Sequence, residues 1–296
     1  MHVPVLLQET IEYLQPKVGG TYVDCTVNRA GHAKEIAKII GKEGTLIIFD
    51  LDNTALLEAN TLLEAIPNTP KIIAINANFR TLKEALATHH IAHIDGLIAD
   101  LGLSSQELDS AGRGFTFRYD EPLLMTFTDT VDDSTVTAKD IVNDWKEETI
   151  ADVLYGFADE RYARRIAKRI IEKREQGKII ETTLQLVDVI ASAVPAVYRH
   201  AKAHFATKTF QALRMAVNDE LGSIKDLISA LPEVLVIGGR ACIITFHSTE
   251  DRTVKNQLRE TEGLVLVSKK AIMPTDEEAK SNPRARSAQL RIVERI

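Results

Sequence analysis

The sequence predicts an α/β fold: a mostly parallel sheet interrupted by an inserted helical subdomain. Three observations carry that expectation. Over the first hundred residues short β-branched runs alternate with helical periods, which is how parallel strands joined by crossover helices read. From 137 to 204 helical periods follow one another with few strand signals. Strand-like runs then return between 240 and 293.

In chain order, Tyr22 to Thr26 reads as the first strand and His32 to Ile40 as a helix. Thr45 to Asp50 is the second strand, followed by a helix through Ala55 to Ala65, a strand at Lys71 to Ile75 and a helix from Phe79 to Ala87. Ile94 to Asp100 closes the series, and the near-continuous apolar character of these strands fits a sheet covered on both faces. Helical periods then run over 138–143, 148–157, 161–174 and 183–194. The last strands are 240–246, 264–268 and 289–293; the final two flank a turn-rich segment with Pro274 and Pro283 and can pair as an antiparallel hairpin at one sheet edge. The expected division is a sheet domain from 1–136 and 205–296, with 137–204 inserted.

A chain of 296 residues can bury one large core or two modest ones. Its 45% hydrophobic and 26% charged residues are ordinary for a globular protein, and no apolar run is long enough to cross a bilayer. The first residues lack the basic start and apolar stretch of a secretory signal, so a cytoplasmic protein without membrane partners is expected. Cys25 and Cys242 each lie inside an apolar strand-like run and read as buried thiols. The net charge of −6 argues against indiscriminate coating of nucleic acid. A local basic stretch nevertheless gathers Arg161, Arg164, Arg165, Lys168 and Arg169, for which RNA contact and a solvated helix face are equally good readings. Lys280, Arg284, Arg286 and Arg291 form a second basic group.

Ligands of open α/β sheets sit beyond the carboxyl ends of the strands, so the residues there are the first candidates for chemistry. Asp24-Cys25-Thr26-Val27-Asn28-Arg29-Ala30-Gly31-His32 is a turn of small residues entering a helix whose N-terminus can approach a ligand. Asp50 can accept both hydroxyl hydrogens of an adenosine ribose; the competing role, a helix N-cap, fits Asp52 better. Phe79 offers an apolar wall for an adenine, or is a plain core residue. Asp100 ends the fourth strand at the centre of the crevice, where it can meet the charged end of a cofactor or an acceptor amine. His247, after the strand ending at Phe246, faces the same crevice or serves the fold alone. Neither a GxxxxGK loop nor a GxGxxG fingerprint occurs, which lowers nucleoside triphosphate and nicotinamide readings. His89, His90 and His93 cluster without a convincing third ligand, so no metal is expected.

Several segments, taken in order, resemble one family. They are His2-Val3-Pro4-Val5-Leu6-Leu7; Asp100-Leu101-Gly102-Leu103-Ser104-Ser105; Arg113-Gly114-Phe115-Thr116-Phe117; Glu160-Arg161; Thr209 through Leu221; Phe246-His247-Ser248 with Glu250-Asp251-Arg252; and Asn282 through Ala288. The set is similar to the bacterial methyltransferases that modify the N4 amine of a cytidine in small-subunit ribosomal RNA, the MraW or RsmH type. The resemblance implies a Rossmann-like class I methyltransferase sheet, S-adenosylmethionine as cofactor, and small-subunit ribosomal RNA or the 30S subunit as partner; homodimerisation stays open. It places Ala30, Gly31 and His32 at the cofactor loop, Asp50 at the ribose, Phe79 beside the adenine, Asp100 as a further cofactor contact, and Glu107 where the family has a cofactor-touching glutamine.

In the mechanism this implies, Asp100 or a neighbouring carbonyl accepts a hydrogen of the cytosine amine, and His247 orients the base or helps remove the proton. Phe115, Phe117 or Tyr119 stacks on the unpaired base, with core packing of that loop as the competing reading. The inserted helices supply RNA contacts, Arg165 and Arg169 among them. Three departures stand out. Asn28 and Ala30 replace loop glycines, Leu124 and Thr126 replace an acid and a base, and Thr249 replaces a leucine. They motivate a second reading from another class, an RNA-binding assembly factor that no longer transfers methyl groups. A methyltransferase acting on a small molecule or a protein is the third.

Overall fold

The computed structural model describes residues 4–102, 112–128, 130–132 and 134–296. It divides into two compact units, Met1–Gly102 with Leu221–Ile296, and Leu103–Glu220.

The first unit carries the sheet. Helix α1 (Leu7–Leu14) precedes β1 (Thr21–Asp24), α2 (Gly31–Ile40), β2 (Thr45–Asp50), α3 (Asn53–Glu64), β3 (Lys71–Asn76), α4 (Leu82–Thr88) and β4 (Ile94–Asp100). After the second unit the chain returns through α11 (Glu220–Val234), β5 (Leu235–Thr245), α12 (Ser248–Glu260), β6 (Leu264–Leu266), α13 (Asp276–Ser281) and β7 (Gln289–Arg295). Among the described residues seven strands form one sheet in the order β3-β2-β1-β4-β5-β7-β6. The first five strands are mutually parallel, and β7 runs antiparallel between β5 and β6, so the expected edge hairpin is present. This is the mostly parallel, Rossmann-like α/β sheet that the sequence predicts.

Alternation along each strand explains the long apolar runs. In β2, Leu46 and Ile48 join one core with Ile36 and Ile40 of α2 and Leu63 of α3. Ile47 and Phe49 enter the opposite core with Leu86 of α4, Leu227 of α11 and Leu258 of α12. Each strand feeds two layers, which leaves no polar face to read. Cys25 and Cys242 are free and buried in these cores. Burial raises both thiols, Cys25 well above its ordinary range and Cys242 to about 12.

The chain leaves β1 outward toward β2 and β3, then comes back to place β4 on β1's other side. The carboxyl ends of β1 and β4 therefore flank the point where crossovers diverge, which is where such sheets bind ligands. Asp24 pairs in register with Ile98, and Asp100 with Ile244, so both acids lie at that rim.

The second unit is helical: α5 (Ala138–Asp144), α6 (Glu147–Ala158), α7 (Ala163–Glu175), α8 (Thr183–Ala193), α9 (Ala196–Arg199) and α10 (Thr207–Val217). Capping boxes at Thr137 with Asp140 and Thr182 with Gln185 start α5 and α8. The unit extends beyond 137–204 in both directions, because Phe115, Leu123 and Met125 on one side and Phe210 and Leu213 on the other complete the core of Ile141, Leu154 and Ile166.

Candidate active site

The site at the rim is built from the strand ends of the first unit. Asp24 is 2% exposed and sits under the start of α2, where its carboxyl accepts the amide hydrogens of Thr26, at 3.1 Å, and of Ala33. It thereby supplies the cap that Ala30, at the N-cap position, has no side-chain oxygen to provide. Burial pushes its carboxyl up to about 7 despite those two hydrogen bonds. The sequence offered Asp24 only as part of the turn; the role follows from a bend that a linear reading does not show.

Thr26 closes the turn onto β4, its Oγ1 accepting the amide of Asp100 at 2.7 Å. Asp100 is the unusual member of the set: its Oδ1 is buried and accepts no hydrogen bond. Burial raises its carboxyl to about 7, with the charges of Asp24 and Glu250 adding to the effect and Arg284 opposing it. An acid so placed lacks one donor, and an ammonium or an amine hydrogen supplies it.

Asp50, half-buried at the end of β2, accepts the amides of Asn28 at 3.0 Å and of Asp52 at 3.0 Å, one on each oxygen. A carboxylate oxygen can accept more than one hydrogen, so a strand-end carboxylate in this position is chemically suited to a ribose diol. Asp52 is the N-cap of α3, accepting from Ala55 at 3.0 Å, as its position suggested. Asn76 ties the neighbouring strand end down by donating to Asp50 O at 2.9 Å and Leu51 O at 3.1 Å. Phe79 follows on this rim, partly buried against the Leu82 and Leu86 core, so it keeps one face beyond the packing.

The expected loop positions divide by what their side chains do. Ala30 is fully buried with φ 57° and Asn28 has φ 44°, both left-handed, where the resemblance implies glycine. Asparagine enters that region readily, whereas alanine there costs about 1 kcal/mol. Gly31 owes its missing side chain to the protein itself: a Cβ there would fall 2.5 Å from Cγ of Pro4. His32 is 5% exposed, its Nε2 lying 3.0 Å from Val5 O. Its Nε2 therefore engages the chain's own N-terminal segment, and Ala30 and Gly31 have no side-chain polar atom, so at those two positions a polar contact to a ligand must come from the backbone. Glu107 lies outside the described residues.

His247 is at the rim but committed elsewhere. It is the N-cap of α12, its Nδ1 accepting the amide of Glu250 at 3.3 Å, while Nε2 lies 2.9 Å from Glu250 Oε1 without hydrogen-bond geometry. With the Nδ1 lone pair engaged, the neutral ring carries its proton on Nε2 and has no free lone pair with which to accept another. The proton-removing role expected for it is not what this geometry provides. Glu250, itself 1% exposed, accepts the Phe246 amide at 2.9 Å, and Asp251 holds Arg291 through bonds of 2.6 and 2.9 Å. The segment after β5 is thus a fixed corner.

In the helical unit, Phe115 is 6% exposed and belongs to the core, so it has no face for a base. Phe117 stacks on His204 with centroids 4.3 Å apart and meets Phe210 edge-on at 5.2 Å. Tyr119 is the expected aromatic that stands open, 61% exposed. Arg169 is tied to Ser192 Oγ at 3.0 Å and Glu172 at 2.7 Å, whereas Arg165 is exposed with its guanidinium 5.6 Å from the Tyr162 ring. Arg161, missed as a site residue, lies 4.7 Å from Tyr162 and 4.9 Å from Tyr198, between two rings. Tyr198 is in turn held by its hydroxyl on the fully buried Glu160 at 2.8 Å. The substituted pair is absorbed without loose ends: Leu124 is partly buried and Thr126 is buried, donating to Thr128 O at 3.2 Å.

Among the described residues no group of metal-ligating side chains is present, and no helix is long and apolar enough to cross a membrane. The family model described as the MraW methylase family matches residues 1–296. Curated proteins named ribosomal RNA small subunit methyltransferase H align along the chain as well. The one from Acetivibrio thermocellus is 44% identical over 100% of this chain and 99% of its own. Those from Synechocystis sp. and Clostridioides difficile are 43% and 41% identical, covering 100% of this chain and 93% and 99% of theirs. With a family match over its whole length and these relatives, the chain belongs to the MraW methylase family.

Proposed function

We propose that this protein is an S-adenosylmethionine-dependent methyltransferase that modifies the N4 amine of a cytidine in small-subunit ribosomal RNA. Family membership supports the reaction class, the relatives' names support the RNA, and the observation in the fold that carries the reading is the unsatisfied, buried carboxyl of Asp100 between β1 and β4. The cofactor, when bound, supplies an electrophilic methyl group carried on a sulfonium. The donor set suits it: Asp50 offers two oxygens to a ribose, Asp100 an orphaned oxygen to an ammonium or amine, Phe79 an apolar neighbour, and the acidic rim favours a cation.

The exocyclic amine of cytosine is a poor nucleophile because its lone pair is delocalised into the ring. Asp100 accepts one amine hydrogen and so localises that lone pair, and its carboxyl, raised to about 7, has the proton affinity of a general base at neutral pH. The amine proton would leave to this carboxylate as the carbon–nitrogen bond forms and the sulfur–methyl bond breaks, its electron pair returning to sulfur as a neutral thioether. Asp24 and Thr26 act on Asp100 from behind, one by charge and one by fixing its amide. His247 holds the corner beside it.

On the RNA side, the helical unit is the recognition subdomain. Arg161, Arg164, Arg165 and Lys168 are exposed along one stretch at α7, and Arg161 is pre-ordered between its two tyrosines. Such a row suits phosphates, and Tyr119 is the side chain available to stack on a splayed base. The assembly-factor reading is weaker, because the replaced positions Asn28, Ala30 and Thr126 are accommodated without breaking the turn or leaving a buried polar group unpaired.

The test is nucleoside mass analysis of small-subunit RNA from cells with and without the protein, joined to methylation of isolated small subunits by the pure enzyme. N4-methylcytidine that depends on the protein supports the reading. Its presence in both strains, with no transfer in vitro, overturns it.

A further inference from the structure

The N-terminal segment does more than lead into α1. Val5 and Leu6 are buried in the same core as Val27, Ala30 and Ala33, so the segment packs directly into the interior of the cofactor turn. Pro4 occupies the space over Gly31 that a side chain would fill. His32 Nε2 meets Val5 O at 3.0 Å, and the Leu6 amide donates to Glu278 Oε1 of α13 at 2.8 Å. Leu6 itself is left-handed with φ 53°, which turns the chain sharply into α1. Three successive positions, 4 to 6, are thereby fixed, and the contacts of Pro4 and Val5 are to the start of the helix that the turn leads into.

That turn has a reason to need an outside support. Asn28 and Ala30 hold left-handed conformations with side chains attached, and Ala30 has no side-chain cap of its own. The sheet pins the turn at Val27, whose amide donates to Phe49 O at 3.0 Å, and at Asn28 through Asp50. The Ala30 amide donates to Val27 O at 2.6 Å and Ala30 O accepts from Lys34 at 2.9 Å; the Gly31 to His32 end is held in addition by Asp24 through Ala33 and by the N-terminal segment.

We infer that residues 4–6 form a positioning strap that holds the Asn28–His32 turn in its cofactor-accepting conformation, with His32 and Glu278 as its anchors. The inference rests on the cofactor reading above. The strap touches the turn from the side of the core and leaves the turn's backbone to the ligand. Removing it lowers the fraction of molecules with a competent turn, and apparent affinity falls by that fraction.

The test compares wild type, a variant lacking residues 1–5, His32→Ala, His32→Gln and, as a control for general loss of stability, Leu63→Ala in the same core. S-adenosylmethionine affinity is measured by calorimetry, and amide exchange over 26–33 is followed without ligand. The truncated and His32→Ala proteins should bind about tenfold more weakly and exchange faster in the turn. His32→Gln, whose amide reaches about as far as Nε2, should recover most of the loss, and Leu63→Ala should melt earlier with its affinity kept. Unchanged affinity or unchanged turn exchange in the His32→Ala protein overturns the strap, also when the truncated protein fails to fold. A wild-type protein that takes up no cofactor would instead refute the functional reading, and exchange in the ligand-free proteins would still decide the strap.

Discussion

The amide of Asp100 donates to Thr26 Oγ1 at 2.7 Å, so one short hydrogen bond joins the end of β4 to the turn after β1. The bond crosses the place where the crossovers diverge, and it couples the orientation of Asp100, whose buried Oδ1 has no hydrogen-bond partner, to the turn proposed to receive the cofactor.

Thr26→Val keeps the shape of the side chain and deletes that bond. Stability should fall by about 1 kcal/mol, the net worth of a hydrogen bond whose donor is left unpaired. Turnover on small subunits should fall about tenfold, as expected when a reacting group is slightly misplaced. Thr26→Ser should retain both. Denaturant melts and single-turnover rates on the three proteins check the difference, and equal rates would remove the bond from the mechanism.

Asp24 and Asp100 give the ligand-free protein a pH signature. Folding raises each carboxyl from 3.8 to about 7, so the native state holds protons that the unfolded chain has released. Their stabilising contribution is full below the unfolded value and is lost as pH rises through about 7. The melting temperature should therefore decline between about pH 4 and pH 7 and level off above it, and Asp100→Asn should flatten that decline while reducing turnover at least about a hundredfold. Scanning calorimetry across this range, with turnover assays, reads both.

Phe115 and Tyr119 should behave oppositely. Phe115→Ala empties a core position and should cost about 3 kcal/mol or more. Tyr119→Ala should leave stability within about 0.5 kcal/mol and raise the KM for small subunits. Urea titrations and steady-state kinetics separate the pair; a large stability loss at Tyr119 with unchanged KM would contradict its place on the RNA side.

Arg164→Glu with Arg165→Glu should weaken binding to small subunits and reduce the steepness of its salt dependence by about two counterions. Filter binding over a range of potassium chloride concentrations measures both terms. A parallel shift with the slope preserved would mean these side chains lie away from phosphate.

The central strands were legible because strands covered on both faces read as nearly continuous apolar runs. Ile94–Asp100 carries no ambiguity of period, and the strands around it are bounded by turn residues. Helices α1 and α9 to α13 were not read as such. Helix α1 is only eight residues long, α9 and α13 are shorter still, and α11 contains Pro232, a residue that ordinarily argues against a helix interior. In the site, Asp50 and Asp100 could be placed at the rim, and Asp52 at the helix cap, from position alone, because a strand end fixes which rim a residue occupies. Gly31, His32, Phe115 and His247 could not. Their side chains are governed by partners far along the chain or by a cap: Pro4 over Gly31, Val5 against His32, the helical core around Phe115, and the Glu250 amide on His247. A motif marks such residues as important without telling a ligand contact from a packing contact.

The two native thiols are both enclosed and held in their unreactive, protonated form at neutral pH. A cysteine placed by design on the outside, by Val18→Cys for instance, at a side chain that is 79% exposed, would be the sole thiol that a maleimide dye finds. Fluorescent tracking of ribosome engagement thus needs one added mutation and no removal of the native cysteines.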